Sequence, residues 1–191
     1  MPEPFLYEKL DSLSEAGFLR PMPDYIGTNL ASGIVLREYQ RQAFQNFVTY
    51  YENENLRRNK QVHTLFHMAT GSGKTVIMAG CMLYLYTQGY RRFLFFVNQT
   101  SILEKTKLNF TDATSGKYLF ADEIEYIGRK VRIKAVDNFS GISPWDDDIY
   151  ISSSRQRKNC ISISLSLRRI ASRWQILKTT RLYSFLMKAT M

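Results

Sequence analysis

Eight consecutive residues, Met68-Ala69-Thr70-Gly71-Ser72-Gly73-Lys74-Thr75, bring two glycines, a lysine and a threonine together in an order suited to holding a chain of phosphates. A glycine-rich turn lets successive backbone N–H groups converge on phosphate oxygens, and a helix that starts directly after it adds the positive end of its dipole. Thr70, Gly71, Ser72 and Gly73 form the turn. Lys74 would reach the terminal phosphates as a compact positive charge, and the Thr75 hydroxyl would ligate the magnesium ion bridging them. The pattern G-x-x-x-x-G-K-[ST] is met except at its first position, which is Met68. The plainer alternative is a Gly-Ser-Gly turn followed by an accidental Lys-Thr, and a strand before the turn with a helix after it argues against that.

The neighbouring elements have the required types. Val62 to His67 alternates apolar and polar residues and predicts a strand, and Lys74 to Tyr86 has the length and composition of a buried helix. Upstream, Leu36, Tyr39, Ala43, Phe47 and Tyr50 recur at spacings of three and four, which describes an amphipathic helix ending in a polar loop from Glu52 to Lys60. Downstream, Phe93-Leu94-Phe95-Phe96-Val97 is a continuous apolar run, as expected of a parallel strand covered on both faces, and a helix from Ser101 to Phe110 follows. Glu125-Tyr126-Ile127 and Val131-Arg132-Ile133 flank Gly128-Arg129-Lys130 and read as a hairpin, and a further strand begins at Ile149. A short helix from Phe5 to Leu19 and a Pro- and Gly-punctuated connector form a lead-in over residues 1–33. Alternating strands and helices predict an α/β fold, a parallel sheet flanked by helices, over residues 34–151.

Leu36-Arg37-Glu38-Tyr39-Gln40, with Gln40 34 residues before Lys74, and Phe95 to Leu103, with Asn98-Gln99-Thr100-Ser101 closing a strand and opening a helix, accompany the loop. This combination resembles the first motor domain of superfamily 2 DEAD/DEAH-box helicases. Glu104-Lys105-Thr106 and Lys134 to Phe139 narrow the resemblance to the Res subunits of type III restriction enzymes and the related type I motors. It covers about residues 1–150 and implies a partial RecA-like P-loop NTPase domain that binds ATP and Mg²⁺. It also implies that Arg37 and Gln40 read adenine, the Gln amide offering both a donor and an acceptor, although an exposed polar side chain on an amphipathic helix is the plainer reading of Gln40. Asn98, Gln99, Thr100 and Ser101 would grip nucleic-acid phosphates, and the same residues could simply cap a helix. Double-stranded DNA and a modification methyltransferase subunit are the partners the resemblance implies.

An ATP motor also needs an acidic pair behind a later strand, one carboxylate for the metal and a neighbour for the attacking water. No such pair follows residue 148, and Asp122-Glu123 and Asp146-Asp147-Asp148 come too early or sit in a polar turn. The net charge is +9, yet residues 1–148 hold all 17 acids and 17 of the 26 basic residues, so the whole excess lies in the tail. From Ile151 to Met191 there is no Asp, Glu, Gly or Pro, where about a quarter of residues would ordinarily be charged with both signs. A shift of reading frame near Ile151 accounts for this. Taking each codon's third base with the next two, Trp174-Gln175 forces alanine and Met187-Lys188 forces glutamate. Permitted codon choices then turn Phe185 to Met191 into Ser-Asp-Glu-Gly-His-His behind an apolar strand. The same shift turns the stretch from Ser154 into Thr-Thr-Thr-Gln. Residues 152–191 are therefore expected to be an out-of-frame basic tail, poorly packed. The rival is a genuine basic arm in which Arg155, Arg157, Lys158, Arg168, Arg169 and Arg173 contact phosphates.

Cys81 and Cys160 have neither CxxC spacing nor a nearby histidine pair, which argues against a zinc site or disulfide framework. No run of 18 apolar residues and no signal-peptide pattern appears, so a cytoplasmic protein without membrane attachment is expected. The expected function is the N-terminal ATP-binding part of a DNA helicase or translocase subunit of a restriction-modification endonuclease, not catalytically competent alone. The alternatives are a non-catalytic nucleotide- or partner-binding module, or another P-loop ATPase.

Overall fold

The computed structural model of the chain describes residues 4–58, 62, 64–97, 100–143, 145–155 and 184–188. Its centre is helix α5 (Lys74–Thr87), in which Ile77, Ala79 to Tyr86 and the intervening glycine are all buried. A helix apolar on every side can only lie inside a fold, so the other elements are built around it. Helix α3 (Glu38–Glu52) lays Phe44, Phe47 and Val48, spaced three and one apart on one face, against α5. The short helix α2 (Asp24–Thr28) presses Ile26 onto the same side. The three helices meet at Gly80, where a β-carbon would collide with the Phe44 ring and touch Ile26.

Strand β1 (Arg92–Val97) follows α5 after a short turn and buries Phe93, Phe95 and Phe96. Strand β5 (Ile149–Arg155) pairs with it in parallel on one side, Arg92 opposite Tyr150. Strand β6 (Ser184–Lys188) pairs in parallel on the other, Arg92 opposite Ser184. With β4 (Ile133–Ala135) outside β5, the order is β4-β5-β1-β6, every pairing parallel. Helix α6 (Thr100–Thr111) covers the sheet through Phe110, whose ring lies 5.1 Å from that of Phe95 and 5.5 Å from Phe120. The lead-in helix α1 (Leu6–Glu15) buries only Leu10, and α4 (Glu54–Arg57) is a single turn within the expected polar loop. No helix among the described residues is long and apolar enough to cross a membrane.

Three features differ from the sequence expectation. The hairpin of β2 (Ile124–Tyr126) and β3 (Arg129–Val131) turns at Ile127-Gly128, and Arg129 and Lys130 belong to its second strand. A type I′ two-residue turn needs two positive φ angles, and here they are 52° at Ile127 and 70° at Gly128. Ile133 accordingly joins the main sheet. Secondly, residues 64–69 form no strand. Their alternation survives, with Thr64, Phe66 and Met68 partly buried and Leu65 and His67 exposed, but both edges of β1 are taken by β5 and β6 and no described strand bonds to the segment. Thirdly, β5 runs to Arg155 and β6 lies at 184–188, so two pieces of the supposedly unpacked tail belong to the sheet. The rest of the tail, with Arg157, Lys158, Arg168, Arg169 and Arg173, lies outside the described residues.

Candidate nucleotide-binding site

Helix α5 ends at Thr87 and β1 begins at Arg92, so helix and strand run in opposite directions. Fourteen helical residues rise about 21 Å, and a six-residue strand about 20 Å. The start of α5 therefore stands at the C-terminal end of β1, the edge at which parallel α/β sheets bind ligands.

The loop that opens α5 depends on two left-handed glycines, Gly71 at φ 79° and Gly73 at φ 85°. Gly73 caps α5, its carbonyl accepting from the Val76 and Ile77 N–H groups at 2.9 and 3.1 Å. Met68 takes no positive φ, and its side chain packs against the core. Glycine is therefore not required there, which explains the departure from the usual motif. The Lys74 ammonium donates to the Met68 and Ala69 carbonyls at 2.7 and 2.8 Å, and Ser72 Oγ donates to the Ala69 carbonyl at 2.6 Å. The lysine thus lies across its own loop, its charge held by two carbonyls that an anion would replace.

Helix α3 supports the loop from behind. Gln40, 6% exposed, accepts from the Arg37 N–H at 2.9 Å through Oε1 and donates to the Ser72 carbonyl at 3.1 Å through Nε2. The Tyr39 hydroxyl donates to the same carbonyl at 2.8 Å, and Arg37 Nη1 reaches that hydroxyl at 3.4 Å. The structure therefore ties Arg37, Tyr39 and Gln40 to the loop, a contact the sequence pattern does not suggest, since the resemblance gives Arg37 and Gln40 an adenine-reading role and the helix periodicity gives Tyr39 a packing one.

In front of the loop lies a cavity of about 1080 Å³. Thr70, Gly71, Gly73, Lys74 and Thr75 form one wall; Arg37, Gln40 and Ser72 do not line it. The opposite wall comes from residues 27–34 and from 109–122, including Asn109, Lys117 and Asp122. Those two stretches are fastened together by the Leu30–Phe120 bridge, the Ala31 N–H to Leu119 carbonyl bond and the Ala121 N–H to Asn29 carbonyl bond, both 3.0 Å. In the sequence the first stretch reads as a lead-in, because a wall joined across some ninety residues leaves no local pattern. Asp122 is the one carboxylate among the described residues lining the cavity.

These residues fit a nucleotide triphosphate: a two-glycine turn, an ammonium and the N-terminus of a 14-residue helix face a cavity large enough to admit it. For magnesium the chain offers a single hydroxyl, that of Thr75, which would hold the ion together with the phosphates it accompanies. Among the described residues no group of three or more His, Cys, Asp or Glu side chains could hold a metal alone. Asn98 and Gln99 lie outside the described residues, while Thr100 and Ser101 open α6 just past the end of β1, Ser101 exposed.

Residues 33–177 match the model of the family described as type III restriction enzyme, res subunit. The chain is 37% identical over 154 residues to a probable type III restriction-modification enzyme HindVIP Res subunit of Haemophilus influenzae, covering 78% of this chain and 29% of that protein. It thus spans under a third of the relative's length. No solved structure matches. A family match covering most of the chain, on a fold whose main sheet is wholly parallel, places this protein in the type III restriction enzyme Res subunit family.

Proposed function

We propose that these residues bind ATP with Mg²⁺ as part of an ATP-driven motor acting on duplex DNA in a restriction system, alongside a modification methyltransferase subunit. The observation that carries the reading is the loop at the start of α5, with Gly71 and Gly73 left-handed and the Lys74 ammonium resting on two loop carbonyls. On binding, Lys74 exchanges those carbonyls for phosphate oxygens, and the loop N–H groups and the α5 dipole complete the cradle. Thr75 takes the metal. Arg37 and Gln40 stand behind the loop and not in the cavity wall, so adenine would meet them on that side of the loop, Gln40 through the one amide hydrogen and one lone pair left by its two observed bonds. Asn98, Gln99, Thr100 and Ser101, which follow β1 in the chain, hold a nucleic-acid strand in this reading.

Hydrolysis by the 191 residues is slow in this reading, because a single carboxylate among those described lines the cavity where two are needed. The frameshift reading supplies the missing pair from the alternate frame of the tail, where permitted codon choices from Leu186 to Lys188, within β6 beside β1, give Asp-Glu.

The test is titration of the chain with ATP and MgCl₂, wild type against Lys74→Ala, followed by a DNA-stimulated ATPase assay. ATP binding that falls at least about tenfold with Lys74→Ala, together with negligible turnover, is expected. Binding indifferent to Lys74, or vigorous turnover, overturns the reading.

A further inference from the structure

We propose that Tyr39 is a positioning residue of the phosphate loop: its phenol, with the Gln40 amide, fixes the Ser72–Gly73 peptide so that the Gly73 N–H faces the phosphates. The proposal rests on the reading of the loop as a triphosphate site.

In a trans peptide the C=O and the following N–H point in opposite directions, and the described chain contains no cis bond. Two donors from α3 take the Ser72 carbonyl, Tyr39 Oη at 2.8 Å and Gln40 Nε2 at 3.1 Å. The Gly73 N–H is thereby turned away from α3. Without those donors the peptide is easily reversed, because glycine accepts either sign of φ, and reversal would aim a carbonyl dipole at the anion.

The two donors are not equivalent. Gln40 is buried and also caps α3 through the Arg37 N–H, so its loss damages the helix start. Tyr39 is 41% exposed, and removing its hydroxyl leaves the ring and helix in place. Its one described bond to another element is to the Ser72 carbonyl. This makes Tyr39→Phe a clean probe of the peptide's orientation.

The experiment is calorimetric titration of the full chain with inorganic tripolyphosphate, ATP and GTP, for wild type, Tyr39→Phe and Lys74→Ala. Tyr39→Phe is expected to weaken tripolyphosphate and ATP by the same factor, about 3- to 10-fold, with the ATP-to-GTP ratio and the Tm unchanged. Tripolyphosphate affinity equal to wild type, or a loss confined to ATP, overturns the positioning role. Wild-type tripolyphosphate binding no better than that of Lys74→Ala removes the triphosphate site itself. Binding lost with Lys74→Ala but kept in Tyr39→Phe removes the positioning role alone.

Discussion

The Gln40 amide nitrogen occupies the space that a β-carbon on Gly73 would need. The two residues are 33 apart in sequence, yet Gly73 cannot gain a side chain without displacing Gln40, since the glutamine anchors the loop only because the glycine leaves room. Gly73 also sits at φ 85°, so two independent demands fall on one position.

Gly73→Ala should therefore be more harmful than either demand alone. A left-handed alanine costs roughly 1–2 kcal/mol, and the displaced amide releases the Ser72 carbonyl. We expect loss of detectable ATP binding together with a Tm drop of several degrees, read by titration and calorimetry. Gly71 is equally left-handed, but its added β-carbon meets nothing within 4 Å, so Gly71→Ala should show the backbone strain without the collision.

Gly80→Ala tests the packing of α2 and α3 on α5. Replacing a mid-helix glycine ordinarily stabilises by up to about 1 kcal/mol, but here the new carbon strikes the Phe44 ring and reaches Ile26. Overpacking of this kind costs about 1–3 kcal/mol, so urea denaturation should show net destabilisation. Gly80→Ala combined with Phe44→Leu should recover part of it.

Two tyrosines predict how stability responds to alkali. Burial, against a bond to the Thr87 hydroxyl, pushes the Tyr25 phenol up to about 12, and burial with the nearby Glu52 carboxylate also pushes Tyr84 upward. A group whose folded pKa is raised contributes stability that is complete below its unfolded pKa, about 10, and is lost as pH rises through the folded value. Denaturation midpoints should thus decline between pH 10 and 12, and the Tyr25→Phe, Tyr84→Phe double variant should flatten that decline. An unchanged slope would remove the assignment.

The coding DNA supplies a check independent of folding. Read one base out of register downstream of the Ile151 codon, it should encode an apolar strand followed by Asp-Glu. Absence of that pair refutes the frameshift and leaves the basic-arm reading.

Legibility followed from how local each feature is. Helix α3 repeats apolar residues at helical spacing and α5 and β1 are unbroken apolar runs of helix and strand length, and the bounds of these three and of α6 fall within two residues of expectation. The glycines, Lys74 and Thr75 are contiguous and easily read. The opposite wall of the cavity, through Leu30 and Phe120, and the Tyr39 bond to Ser72 are products of tertiary contact. Residues 64–69 show the converse case: alternation marks which face is buried, but a strand also requires a neighbour to bond with, and sequence pattern alone does not supply one.

Residues 64–69 also bear on how the protein should behave in solution. Leu65 is 80% exposed, on a stretch whose amide groups have no described strand alongside. Such a stretch is a template for intermolecular pairing, so the chain should self-associate as its concentration rises. Sedimentation velocity across a dilution series would reveal this, and Leu65→Lys, which adds a repelling charge to each copy, should suppress it.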